Sequence, residues 1–317
     1  LPEPVPPEII ILIRPFTQDF KTSAICTDMA PFSTSCPKER ALAPKHRMVM
    51  VGPSILTGGI VALTREPFGK SANKEKEEKE KELVFSRYQE LEEKIAKMFG
   101  MEAAIFAASG TMTNQIALST HLGKGQEVIC DAMSHIYFYE GGGIMSNAGA
   151  SAKLVKGDLG RISVDQIKEH ISPDDIHFCE TALVSLENTM NKGGGSLYST
   201  EALQSISDFC KENKLPLHLD GARIFNAIVA SGQTPLQYGK WFDTISVCLS
   251  KGLGAPIGSL LLGSNNFIKK AKRVRKRIGG GWRQAGFLAA AGADLAGAAF
   301  EDANVFLAAR SEERRVG

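Results

Sequence analysis

From Ser86 to Leu262 short apolar runs alternate with longer amphipathic ones. Tyr88, Leu91, Ile95 and Met98 recur at helical spacing, and Gly100 supplies a C-terminal stop. Ala103 to Ala108 reads as a short buried strand, Ser109-Gly110-Thr111 as a turn, and Met112 to Leu122 as the next helix. The alternation predicts further strands over Val128–Cys130, Leu183–Leu186, Leu217–Leu219, Ile245–Leu249 and Ser259–Leu262, with helices including Val164–His170 and Thr200–Asn213. Strands separated by helix-length connections imply a three-layer α/β/α arrangement whose sheet is mostly parallel and covered on both faces. In such sheets ligands bind beyond the carboxyl ends of the strands.

The ends of the chain carry less pattern. Residues 1–82 open with Pro2, Pro4, Pro6 and Pro7 and finish in a charged run from Lys74 to Glu82, which reads as a divergent segment, partly disordered or linker. Residues 83–310 form the expected large domain, and 311–317 a polar tail. At 317 residues, 43% hydrophobic and 23% charged, the chain can bury a sizeable core, and its 31 Gly and 14 Pro exclude a collagenous or low-complexity protein. A net charge of +2 offers no global field for nucleic acid or an anionic membrane. No apolar run approaches the roughly 20 residues of a membrane span. The six cysteines show no C-x-x-C pair and read as reduced thiols, so a soluble, cytoplasmic protein with no metal site is expected.

Three groups of residues fall at strand ends. Ser109-Gly110-Thr111 lies between a strand and a helix, where free backbone N–H groups favour an anion and Gly allows close approach. Neither a Walker A loop nor a G-x-G-x-x-G fingerprint is present. Asp220 follows an apolar strand directly, with Arg223 three residues on; its carboxylate can hold a cationic nitrogen, while the alternative is a helix cap with a surface Arg. Lys251 leaves another apolar strand into a Gly-rich loop, where partial burial favours the free amine and a Schiff base. An Asp, an Arg three residues later and a Lys on the following strand match what pyridoxal phosphate requires, with a Gly-Thr turn for its phosphate. His135, just past the strand at Val128–Cys130, is placed to stack on a planar cofactor. His46, His121 and His170 read as structural.

Taken together these residues resemble the low-specificity L-threonine aldolases, which are aminotransferase-like (fold type I) pyridoxal-phosphate enzymes. The matching strings are Ser109-Gly110-Thr111-Met112, Ser134-His135-Ile136, Tyr139-Glu140-Gly141-Gly142, Leu186-Glu187-Asn188-Thr189 and His218-Leu219-Asp220-Gly221-Ala222-Arg223. Ser250-Lys251-Gly252-Leu253-Gly254 and Gly279-Gly280-Gly281-Trp282-Arg283-Gln284 continue the resemblance. It implies that Lys251 carries the cofactor covalently, Asp220 bonds its ring nitrogen and Arg223 sits near its ring hydroxyl. Ser109, Gly110 and Thr111 hold the phosphate. His135 stacks on the ring, and His177 becomes a candidate for handling the substrate β-hydroxyl. Arg283 and Glu187 are candidates for substrate or phosphate binding. The implied reaction cleaves L-threonine or L-allo-threonine to glycine and acetaldehyde in a homo-oligomer, a dimer of dimers, with no nucleic-acid or membrane partner.

Two departures accompany the resemblance. The family's opening segments have only a weak counterpart at Asp19-Phe20-Lys21-Thr22-Ser23. The family's C-terminal small domain, which contributes an Arg for the substrate carboxylate, is expected to be largely missing here, as in a fragment or an inactive relative. Alternative readings are β-elimination or racemisation on the same Lys251 and Asp220. A third is nucleic-acid binding by the basic run Lys269 to Arg277, which otherwise reads as a solvated helix.

Overall fold

The computed structural model describes residues 89–282 with residues 286, 288 and 289, and three short strands nearer the start of the chain. The chain divides into two units, 1–77 and 78–317. In the first, β1 (Ile10–Leu12), β2 (Arg47–Met50) and β3 (Val61–Thr64) form an antiparallel sheet with β3 in the centre. The charged run from Lys74 to Glu82 and the echo at Asp19–Ser23 lie outside the described residues.

In the second unit the first described element is helix α1, covering 89–99. There follow β4 (Ala103–Ala107), α2 (Gly110–His121), β5 (Gln126–Asp131), the single turn α3 (His135–Phe138) and a π-helical turn at Ile144–Ala148. Next come β6 (Ser151–Val155), α4 (Val164–His170), β7 (Glu180–Glu187), α5 (Thr200–Glu212) and β8 (Leu217–Gly221). The last elements are α6 (Ile224–Ser231), α7 (Pro235–Trp241), β9 (Thr244–Cys248), β10 (Ser259–Gly263) and α8 (Asn265–Arg277). The strands build one seven-stranded sheet in the order β4-β10-β9-β8-β7-β5-β6.

The sheet is mostly parallel, as expected, with one exception. Strand β10 pairs antiparallel with both β4 and β9. It follows β9 through a loop at 249–258 with no helix, and a parallel return needs a crossover. Strand β6 gave no signal in the sequence because it is an edge strand: among the described residues Ser151-Ala152-Lys153-Leu154-Val155 pairs only with β5, and of its residues only Val155 is fully buried. A strand paired and covered on one side does not need a continuous apolar run.

Alternation along the central strands builds both outer layers. On β4, Ala104 and Phe106 join the core beneath α1, α5 and α7, with Leu91, Ile95, Phe99, Leu203, Tyr238 and Trp241. Ile105 and Ala107 face the opposite way, toward Ile116 of α2 and Ile268, Ala271 and Val274 of α8. Successive residues of a strand point to opposite faces, so a strand buried on both reads as an unbroken apolar run. The basic run lies within α8: Ile268, Ala271 and Val274 are buried, while Lys269, Lys270, Lys272, Arg273, Lys276 and Arg277 are exposed. Among the described residues Cys130, Cys179, Cys210 and Cys248 are free thiols, Cys179 partly exposed and the others buried. No helix among the described residues is long and apolar enough to cross a membrane.

Candidate active site

Strand direction decides which residues meet. Because β4, β5, β7, β8 and β9 run alike, their carboxyl ends bring Ser109, His135, Glu187, Asp220 and Lys251 to the same edge of the sheet. Glu187 on β7 pairs directly with Asp220 on β8, which pairs with Ser246 on β9.

Ser109 is the N-cap of α2, and its Oγ accepts the Met112 N–H at 3.2 Å. The N–H groups of Gly110 and Thr111 have no intrahelical acceptor, as at any helix start. Gly110 is needed for packing: a Cβ there would lie 2.5 Å from Cys248 Sγ, at the end of β9. Thr113 fastens the same turn, its Oγ1 lying 2.6 Å from Ser246 Oγ.

Asp220 is 2% exposed. Its Oδ1 accepts the Ala222 N–H at 3.1 Å and its Oδ2 accepts Asn114 Nδ2 at 2.8 Å. Burial first, then the nearby Glu140 carboxylate, push its carboxyl above the usual range, and His135, Asn114 and Lys251 pull it back. Lys251 is partly buried in the turn after β9.

His135 starts the turn α3 beside Asp220. Its Nδ1 lies 3.0 Å from Glu140 Oε1, and its backbone N–H donates to Glu187 Oε2 at 2.7 Å. The hydrogen bond to Glu140 is the main reason its imidazole is held above its ordinary value. The other oxygen of Glu187 accepts the Asn191 N–H at 2.9 Å. Glu187 is thus a brace between two loops, and burial next to Asp220 pushes it up to about 7. Arg223, at the N-terminus of α6, is partly buried, and its Nη1 donates to Asn191 Oδ1 at 3.2 Å.

One expected residue, His177, is not part of this cluster. His177 lies on the loop entering β7, at the amino end of a strand whose carboxyl end carries Glu187. Its side chain is 79% exposed and bonds Asp175 Oδ1 at 2.7 Å, a local turn contact that explains the residue without chemistry. Arg283 lies outside the described residues.

Three residues of the cluster were not singled out by strand-end reasoning. Asn114 and Gln115 lie in the first turns of α2, and Glu140 follows α3; all are buried. Asn114 Nδ2 donates to Glu140 Oε1 at 2.9 Å as well as to Asp220, and Gln115 Nε2 donates to Glu140 Oε2 at 2.5 Å. The available signal was two amides placed directly before the apolar run Ile116-Ala117-Leu118, on a face that must be covered. Gly143 permits the approach, since a Cβ there would lie 2.3 Å from Gln115 Oε1. His135, Glu140 and Asp220 offer ligand atoms within 4.8 Å of one another. The Asn114 amide group already bridges the two carboxylates, so the set is a hydrogen-bonded cluster in this structure.

Fold and site define an α/β/α protein with a buried acid, a histidine, a lysine and a helix N-terminus gathered at the carboxyl edge of its sheet. Residues 78–312 match the family described as beta-eliminating lyase, and the chain belongs to that family. The low-specificity L-threonine aldolase of Saccharomyces cerevisiae is 47% identical over 204 residues, covering 63% of this chain and 52% of that protein. That of Eremothecium gossypii is 46% identical over 202 residues, covering 62% and 52%. Among solved structures, the threonine aldolase of Leishmania major superposes with a TM-score of 0.61 at 26% identity, covering 67% of this chain and 62% of that one. The chain spans about half the length of these two curated relatives.

Proposed function

We propose that this chain carries the pyridoxal-phosphate site of an aldehyde-lyase that splits L-threonine or L-allo-threonine into glycine and acetaldehyde. The observation that carries the reading is Asp220: a carboxylate buried without a cationic side chain bonded to it among the described residues, at a strand end shared with a lysine loop. A protonated ring nitrogen fits that acid, and the opening N–H groups of α2 suit a phosphate. Lys251 would hold the cofactor's aldehyde carbon, Gly110 and Thr111 with Ser109 its phosphate, and Arg223 its ring oxygen. When bound, pyridoxal phosphate supplies an electron sink for the pair left on the substrate Cα.

The chain's own groups account for the proton movements. His135 Nδ1 donates to Glu140, which leaves Nε2 to accept a proton from the substrate β-hydroxyl. As that proton leaves, the Cα–Cβ bond breaks, Cβ becomes the aldehyde carbon, and a proton returned to Cα completes glycine. With His177 on the far edge, His135 is the histidine positioned for this step. Exposed Tyr137, Phe138 and Tyr139 adjoin His135, and the same reading makes this rim a contact with a second copy of the chain.

The test is product analysis of the purified protein given pyridoxal phosphate and L-threonine. Equal amounts of glycine and acetaldehyde, lost in Lys251→Ala, support the aldolase. Ammonia with a 2-oxo acid would make the protein a β-eliminating enzyme instead.

A further inference from the structure

Asn114 is 1% exposed and uses every polar atom it has. Its two amide hydrogens go to Asp220 Oδ2 and Glu140 Oε1, at 2.8 and 2.9 Å. Its Oδ1 lies 3.3 Å from His218 Nε2. On the far side of that ring, His218 Nδ1 lies 2.9 Å from Thr244 Oγ1, and the same hydroxyl is 2.9 Å from His121 Nε2. The His121 ring in turn lies against Phe267 of α8, with centroids 4.5 Å apart.

With the Asn114 amide hydrogens on the two acids, the bond directions along this chain follow. Burial lowers His218 to about 3 and His121 to about 4, so both rings are neutral at pH 7 and each carries one N–H. Asn114 Oδ1 can only accept, so His218 is protonated on Nε2 and its Nδ1 accepts the Thr244 hydroxyl. The remaining lone pair of Thr244 accepts from His121 Nε2. Reversing the Asn114 amide would point its oxygen at two carboxylates, a clash that no tautomer of His218 relieves. The two acids therefore select the arrangement with the –NH2 group held toward them, and the relay follows it.

We infer that Asn114 is a positioning residue, held by the His218–Thr244–His121 relay, that clamps Asp220 against Glu140 and keeps the Asp220 carboxylate ionised and aimed at the cationic nitrogen of the cofactor. The inference rests on the pyridoxal-phosphate reading of the site. Without the clamp, Asp220 loses a donor while Glu140 still repels it, and the proton moves from the ring nitrogen onto Asp220. A side chain that merely fills space would have no such effect.

The test uses pyridoxal phosphate labelled with 15N in the ring, added to the purified protein, to read cofactor affinity and the 15N shift of the ring nitrogen. Asn114→Ala is expected to weaken binding about tenfold, equivalent to about 1.4 kcal/mol, and to move the shift toward the unprotonated nitrogen. Asn114→Asp, nearly isosteric but a third carboxylate, is expected to be worse than Ala on both readouts. A space-filling role predicts the reverse order, and that order, or wild-type readouts in both variants, would overturn the inference. Thr244→Val touches none of the acids and is expected to move both readouts the same way by less. Should the Asn114 variants not fold, unchanged readouts in Thr244→Val overturn the inference. A wild-type protein that neither binds the cofactor nor protonates it removes the cofactor reading and this inference with it, whereas a wild-type protein that binds normally beside silent variants removes only the inference.

Discussion

At the residue scale, the site is a set of acids and bases that set one another's protonation. His135 is held above its ordinary value mainly by Glu140, so the neutral ring that the proposed proton transfer needs is populated as pH rises through that raised value. Glu140→Gln removes the main cause and leaves burial ahead of the Asp220 charge that still raises the ring, so His135 should titrate lower, as its ring-proton NMR shift will report. The alkaline rise of the reaction rate should move to lower pH with it. Glu187 behaves differently. Its carboxyl is raised from 4.5 to about 7, so the cofactor-free native state binds more protons than the unfolded chain between those values. This group's stabilisation is present below about 4.5 and is lost as pH rises toward about 7. Urea denaturation at several pH values should show that loss in the wild type and a flatter profile in Glu187→Gln.

At the element scale, the start of α2 couples the outer layer to the sheet. Gly110→Ala would force a Cβ to within 2.5 Å of Cys248 Sγ, so α2 must lift or β9 must shift. A cost of about 1–3 kcal/mol is expected in denaturation, with weaker phosphate affinity, and an unchanged midpoint would contradict the packing. The same element shows what was legible in sequence. The apolar runs of β4, β5, β7, β8, β9 and β10 announced themselves because both faces are covered, and His135, Asp220 and Lys251 follow from reading their ends. Edge strand β6 stayed silent because its side chains are only partly covered. The reversed direction of β10 depends on a helix-free loop, and no local pattern reports strand direction. His177 became a candidate only through the family resemblance; it precedes its strand, and only the sheet's direction separates the two edges. Asn114 and Gln115 were passed over because a polar residue inside a helix declares its partner only when the sheet is assembled.

At the scale of the whole molecule, the described residues of the second unit build one sheet with two covered faces and a polar cluster at one edge. The exposed rim at Tyr137, Phe138 and Tyr139, 43%, 57% and 47% accessible, is the surface expected to meet a second copy. Sedimentation should find a dimer or larger species at micromolar concentration, and Phe138→Asp should reduce its mass; a wild-type monomer would contradict that. The purified protein is incubated with pyridoxal phosphate, reduced with borohydride and mapped by peptide mass. A pyridoxyl group is expected on Lys251, lost when Asp220 is changed to Ala. An unmodified Lys251, or label spread over exposed lysines such as those of α8, would contradict it.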